Sequence, residues 1–314
     1  MTLDTTSTVI DGRRGWPRAA ALFGVVMATS VVGPGVLVAV PLLVLLGRGG
    51  LVRRPAGFIV AVLAMAITLA GSRDGLWYAE RGWALMIGGV FLALSMVVPG
   101  WRVTSRAFAA VLTAASASGV IMASRAGAWA TIDWSVTDRI QAGFATWLDA
   151  LVVLRQGESV PPEMVASIYQ SADWWVAVFP AMIGLESMAA LAVSWWLVVR
   201  LAQNSDGGLG PLGAFRFNDH WVWLLIFGLI LVVTQASDGL TRVGANIAVF
   251  MGALYALRGV GVALFISGGI SLFGFVVFVF GFVFAAPVVI GFAVLTGIAD
   301  TWLDLRARVG ESAA

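Results

Sequence analysis

Between residues 19 and 300 the chain repeats one arrangement: long apolar runs with almost no charge, separated by short gaps that hold arginines and acids. In hydrocarbon every backbone polar group must find its partner within the protein, and a helix achieves this segment by segment. A soluble domain of this length needs a polar exterior, yet 60% of the residues are hydrophobic and only 11% are charged. The expected fold is all-α: a polytopic transmembrane helical bundle, forming a single integral membrane domain over residues 1–314.

The apolar segments read as 19–32, 36–46, 56–70, 83–98, 107–123, 174–199, 221–235, 243–257, 260–284 and 287–300. A full crossing takes about 20 residues for roughly 30 Å of hydrocarbon. The first two segments are shorter, and Gly33-Pro34-Gly35 must bend the chain between them. They form a tight hairpin of short spans or a re-entrant pair, or else one long kinked helix, and the two readings give opposite parity.

Arginine placement decides, because basic residues gather in cytoplasmic loops. With a hairpin and a cytoplasmic N-terminus, Arg13, Arg14, Arg18, Arg48, Arg53, Arg54, Arg102, Arg106, Arg200, Arg216, Arg258, Arg306 and Arg308 fall inside. Arg73, Arg81, Arg125, Arg139, Arg155 and Arg242 remain outside. A kinked helix would part Arg48, Arg53 and Arg54 from Arg13 and Arg14. The hairpin is favoured, with about eight full spans after it, and residues 1–18 and 301–314 both cytoplasmic. Tryptophans agree: Trp77, Trp83, Trp174 and Trp175 mark outer ends, and Trp101, Trp195, Trp196 and Trp221 inner ends, the depth that indoles prefer. Ala28-Thr29-Ser30 is a passable cleavage site, but another apolar run follows at once, so the first segment reads as a retained anchor.

Composition excludes much chemistry. All 19 basic residues are arginines, there is no cysteine, and His220 is the one histidine. Lysine Schiff bases, thiolate catalysis and cysteine-ligated metals are therefore ruled out, and a lone histidine makes a histidine metal centre or a Ser–His dyad hard to build. Paired catalytic groups at helical spacing are missing too, so no enzyme, no metal and no cofactor is expected. A net charge of +2, with its basic residues at span ends, suits lipid headgroups and not nucleic acid.

Residues 125–173 form a long extracytoplasmic loop of different composition. Ile140, Phe144, Trp147, Leu148, Leu151 and Val152 recur at helical spacing, predicting an amphipathic helix of about four turns. Pro161-Pro162-Glu163 starts a second, short helix. The pair is a cap lying on the outer membrane surface or a lid over a cavity among the spans.

The C-terminal third carries a resemblance. Residues 211–223 (PLGAFRFNDHWVW) lead into a span, followed by Asn246, by 254–259 (LYALRG) and by 297–306 (GIADTWLDLR). This combination resembles the YybS-like family of predicted bacterial membrane proteins, a domain of unknown function. Where that family carries Gln before the glycine, Arg258 stands here, and the usual Leu-Pro of the lead-in is absent. The resemblance implies a bacterial inner-membrane location and no assigned activity. More distantly, the chain is similar to the substrate-binding membrane components of vitamin transporters, which work with a separate ATPase module and dock through small residues on the first helix. Ala20, Gly24 and Ala28 lie four apart here, so they could dock a partner or pack within the bundle.

Glu186 is the sharpest single residue. It lies near the middle of an apolar segment, where a charge facing lipid is costly. It could couple a proton or cation, grip a substrate amine, or be a protonated packing residue beside Ser187. Pro180 would loosen the same helix. A second polar group comprises Gln235, Asp238, Thr241, Arg242 and Asn246. It reads as the outer mouth of a site, or as a turn in which Asp238 or Thr241 caps the next helix and Arg242 pairs with Asp238. His220 beside Asp219 suits an interfacial cap, since adjacent helical residues do not face each other. Asp300 and Asp304 read as a solvated helix end. The glycines at 259, 261, 268, 269, 274 and 281 are placed in one span.

Two functions follow as expectations. The first is a small-molecule-binding or transport-related component, with Glu186, Asn246, Arg242 and Gln235 as substrate-binding residues. The second is a non-catalytic scaffold or regulatory subunit that works through helix contacts with another membrane subunit.

Overall fold

In a computed structural model the described residues are 19–24, 35–73, 75–203, 209–269 and 272–312, and all of their regular structure is helical. The Gly33-Pro34 bend, Ala28, Arg13, Arg14 and Arg18 lie outside the described residues. The chain divides into two compact units, residues 1–209 and 210–314.

In the first unit, α1 (Val36–Arg48) is the centre. Val36 to Leu42, Leu45 and Leu46 are all buried, and a helix that is apolar all round must be covered all round. It is covered by α2 (Pro55–Leu69), α3 (Gly75–Val97) and a very long α6 (Pro162–Ala202). Pro41 interrupts the hydrogen-bond ladder of α1. Gly88 of α3 faces it so closely that a Cβ there would stand 3.0 Å from the proline Cα. The outer helix α2 buries only Gly57 and Ala64, and Phe58, Ile59, Leu63 and Leu69 are exposed, as suits a lipid-facing helix.

α4 (Val103–Ala123) packs beside α3 and α6. α5 (Ala128–Leu154) is seven turns long, nearly twice the expected length. Its stripe of Ile132, Val136, Ile140 and Phe144 packs on Ala172, Trp175 and Phe179 of α6. The short second helix expected at Pro162 is instead the start of the 41-residue α6. Nothing between 162 and 202 breaks it, because Pro180 removes one bond where both flanks are strongly helical.

The second unit begins with a loop containing two 3-10 turns, Leu212–Ala214 and Asp219–Trp221. Then come α7 (Val222–Thr234), α8 (Asp238–Ile266), α9 (Leu272–Leu303) and α10 (Leu305–Ser312). The expected gap at 258–259 does not exist: α8 runs through it for 29 residues. Arg258-Gly259 interrupts apolarity without interrupting helicity, since neither residue stops a helix as proline would. The break expected near Pro287 is found as a bend at Ala285 inside α9. The six glycines are accordingly distributed: 259 and 261 in α8, 268 and 269 with positive φ in the following turn, 274 and 281 in α9.

Two of those glycines bring backbones into contact. A Cβ on Gly259 would lie 1.9 Å from the Ala293 carbonyl oxygen, and one on Gly297 would lie 2.0 Å from that of Tyr255. Only residues without a side chain let α8 and α9 cross so closely. Among the described residues, five helical stretches are long and apolar enough to cross a membrane: Gly75–Val97, Val103–Ala123, Pro162–Ala202, Asp238–Ile266 and Phe284–Leu303. Val36–Arg48, Pro55–Leu69 and Asp219–Thr234 are apolar but shorter.

Candidate functional site

Among the described residues, buried charge lies at Arg106 of α4 and in three further places. The largest lies in the second unit, around Asp300. Its Oδ2 accepts from Arg258 Nε at 2.9 Å and from Arg306 Nη2 at 2.8 Å. Arg258 Nη1 also donates to Asp219 Oδ1 at 2.6 Å, and its guanidinium lies over the Phe217 ring. Arg306 Nη1 reaches the Gly213 carbonyl at 2.8 Å, and both of its Nη groups bond that of Phe215. Arg216 pairs with Asp304 on the exposed rim. Three arginines meet three aspartates, so the cluster is neutral.

Asp300 and Arg258 are each 1% exposed. This overturns the expected solvated helix end at Asp300, and it overturns the placement of Arg258 in a gap between two spans, since it lies inside α8. The burial has a cause in the chain path. The turn at Asp304, which has positive φ, lets Arg306 fold back onto the helix that carries Asp300. The crossing at Gly259 and Gly297 sets Arg258 opposite the same carboxylate. The segments 211–223, 254–259 and 297–306, separate in sequence, thus converge on one carboxylate.

The second place is the start of α3. Glu80, 5% exposed, pairs with Arg81 at 2.8 Å and with Arg139 of α5. Arg81 also donates to the carbonyls of Thr68 and Ala70 at the end of α2 and stacks on Trp77. Nothing in the spacing of residues 80 and 139 signals this pair.

The third is α6. Glu186 is 1% exposed among the buried residues Gly184, Ser187 and Ala190, and Trp83 Nε1 donates to Ser187 Oγ at 2.9 Å. Trp174 and Trp196 stand twelve and ten residues away, about 18 and 15 Å along the axis at roughly 1.5 Å per residue. The carboxyl group therefore sits about midway along the apolar stretch that these two tryptophans bound.

Residues 18–301 match the family described as predicted membrane protein (DUF2232). The chain belongs to that family. No curated protein and no solved structure matches it. The DUF2232 match takes in Glu80, Glu186, Arg258 and Asp300 and stops short of Arg306. As an integral membrane protein, the chain has the lipid bilayer as its neighbour.

The other expected site residues are placed as follows. Gln235 is exposed and ends α7 in a left-handed conformation. Arg242 is half-buried on α8, and Asn246 Nδ2 donates to its carbonyl at 2.8 Å. These three belong to the second unit, and Glu186 belongs to the first. Helix α8 is capped not by Asp238 or Thr241 but by Ser237, whose Oγ accepts from Leu240 N–H at 3.3 Å. A serine just outside the first turn reaches those donors, whereas Asp238 and Thr241 already lie within the helix. His220 is exposed, and its N–H is held by Asn218 Oδ1. Ala20 and Gly24 are exposed in the helical stretch 19–24, with nothing within 4 Å of a Cβ built on Gly24. Among the described residues no group of three His, Cys, Asp or Glu side chains could hold a metal ion.

Proposed function

We propose that the protein is a small-molecule-binding, transport-related component of a bacterial inner membrane, with Glu186 as the group that engages a cationic substrate or a coupling proton. The observation that carries this reading is the burial of the Glu186 carboxyl midway along an apolar helix. An acid at membrane depth is costly to keep, faces the protein interior, and usually marks a pathway for substrate or ion. Substrate classes with an amine fit such a carboxylate, and a protonated form fits proton coupling. The resemblance to YybS-like proteins and to vitamin-transporter components points the same way. It adds a separate ATPase module, or another membrane subunit docked at Ala20, Gly24 and Ala28, as the partner.

Native mass spectrometry of the gently extracted protein tests this. A small molecule retained by the wild type and lost in Glu186→Gln supports the reading. No retained molecule in either, with a co-purifying subunit released by Gly24→Leu, supports the scaffold reading instead. That second reading draws on the exposure of Ala20 and Gly24.

A further inference from the structure

Helix α5 is lightly held. Of its 27 residues only Val136 and Ile140 are buried, and an element with so few buried apolar contacts opens at low cost. Its seam lies on one face of α6. Ala172, Phe179 and Ile183 pack in that seam, and Glu186 continues their series at intervals of seven, four and three residues. Such spacing keeps all four side chains on one side of a helix. The face of α6 that bears Glu186 therefore runs on, toward the Pro162 end, as the face that α5 covers. Helix α3 closes the flank: Leu76 joins the same seam, and Trp83, about two turns further on, bonds to Ser187 beside Glu186.

The ionic contact at this junction is built to release. Arg139 of α5 pairs with Glu80 of α3, and the arginine side chain is 38% exposed, so water takes over its charge when it leaves. Glu80 is not stranded by that departure. Arg81 pairs with it at 2.8 Å and is itself held by the Thr68 and Ala70 carbonyls. A buried carboxylate that keeps one partner escapes the uncompensated charge that makes a broken buried pair costly. At the start of α5 a second contact spans the seam, Trp129 stacked on Phe179 with ring centres 5.8 Å apart. Gly127, in the short turn between α4 and α5, has positive φ and is the residue type that most readily absorbs a change of backbone angle.

We propose that α5 is a gate over the face of α6 that bears Glu186, latched by the Arg139–Glu80 ion pair. Release of Arg139 lets α5 lift from α3 and α6, and admits water and a small solute past Ala172, Phe179 and Ile183 to Glu186. The gate regulates the site proposed above and rests on Glu186 being the group that engages a solute. All of its parts lie within the first unit.

The chain has no cysteine, so a single introduced thiol reports water access without background. The full chain in lipid nanodiscs, carrying Ala172→Cys in the seam or Ser187→Cys beside Glu186, is treated with a charged methanethiosulfonate reagent, and mass spectrometry reads the labelling rate. Both positions are buried, so both label slowly while α5 is closed. Adding Arg139→Gln, which removes a charged hydrogen-bond contact, is expected to speed both about tenfold. Arg125→Gln, at an exposed arginine outside the seam, should change neither. Unchanged rates in Arg139→Gln overturn the latch, as does an equal rise in Arg125→Gln. A rise confined to Ala172→Cys overturns the gate, because α5 then lifts without opening the way to Glu186. Should Arg139→Gln fail to fold, Trp129→Ala loosens the same seam without touching a charge, and unchanged labelling of Ser187→Cys then overturns the proposal. Labelling needs no ligand, so the two readings fail separately. A tenfold rise with no small molecule lost in Glu186→Gln sinks the role of Glu186 alone, and the reverse pair of results sinks the gate alone.

Discussion

Arg106 in the first unit and Arg258 in the second are buried to nearly the same extent, 6% and 1% exposed, and each lies against an aromatic ring. Their electrostatic surroundings differ. Arg258 meets Asp300 and Asp219, with Arg306 bound to the same carboxylate, so the charges cancel within the chain. Arg106 has ring faces and, among the described residues, no carboxylate within ion-pair distance. A buried ion pair need not add net stability, but removing one member leaves an uncompensated charge behind. The two regions therefore teach that burial alone does not say how a charge is compensated. What sits opposite the charge does.

That contrast breaks hardest at Asp300. Asp300→Ala leaves two buried guanidinium groups facing each other without their shared carboxylate, and a loss of about 3–5 kcal/mol is expected. Thermal unfolding of the purified protein in detergent would read it. Replacing the whole group, as in R258M/D300L/R306M, should recover most of the loss, because no charge is then left to desolvate. A triple variant no better than the single one would show that the cluster does more than balance charge.

A smaller effect is expected from moving the supporting helices without touching a charge. Gly297→Ala places a methyl about where the Tyr255 carbonyl stands, so α8 and α9 must part, at a cost of about 1–3 kcal/mol. Gly252→Ala is the control: nothing lies within 4 Å of its Cβ, and in a helix interior a gain of up to about 1 kcal/mol is expected. Equal effects from the two would remove the close crossing as the reason for Arg258 meeting Asp300.

The smallest change is expected at Arg106. In lipid-free detergent Arg106→Met should lie within about 1 kcal/mol of wild type in either direction, a lost cation–π contact being set against a desolvation cost relieved. A drop as large as that of Asp300→Ala would mean that the two arginines are held alike, and the comparison would fail.

Much of the fold was legible in the residue order. Apolar runs marked the helices around 56–70, 83–98 and 107–123 to within a few residues, except at the start of α3, which lies about two turns earlier, and Pro287 marked the bend in α9. The errors have one cause. Arg258 was polar enough to look like a gap, and the polar residues up to Asp173 looked like the end of a short helix, yet a helix continues through polar residues wherever tertiary partners satisfy them. At the sites, Glu186 stood out because an isolated acid in an apolar run needs no neighbour to be noticed. Asp300 did not, because its two arginines come from helices 42 and 6 residues away, and pairing at such distances leaves no periodic trace.

The order of residues by itself determined that this chain is a helical membrane protein, because hydrophobicity along a segment is a local quantity that sums from its own side chains. Only the tertiary structure decided which charges are neutralised and which are not. The electrostatic energy of a buried group depends on what other segments bring within a few ångströms, and here two facing glycines, a left-handed turn at Asp304 and a cage of two aromatic rings made those choices.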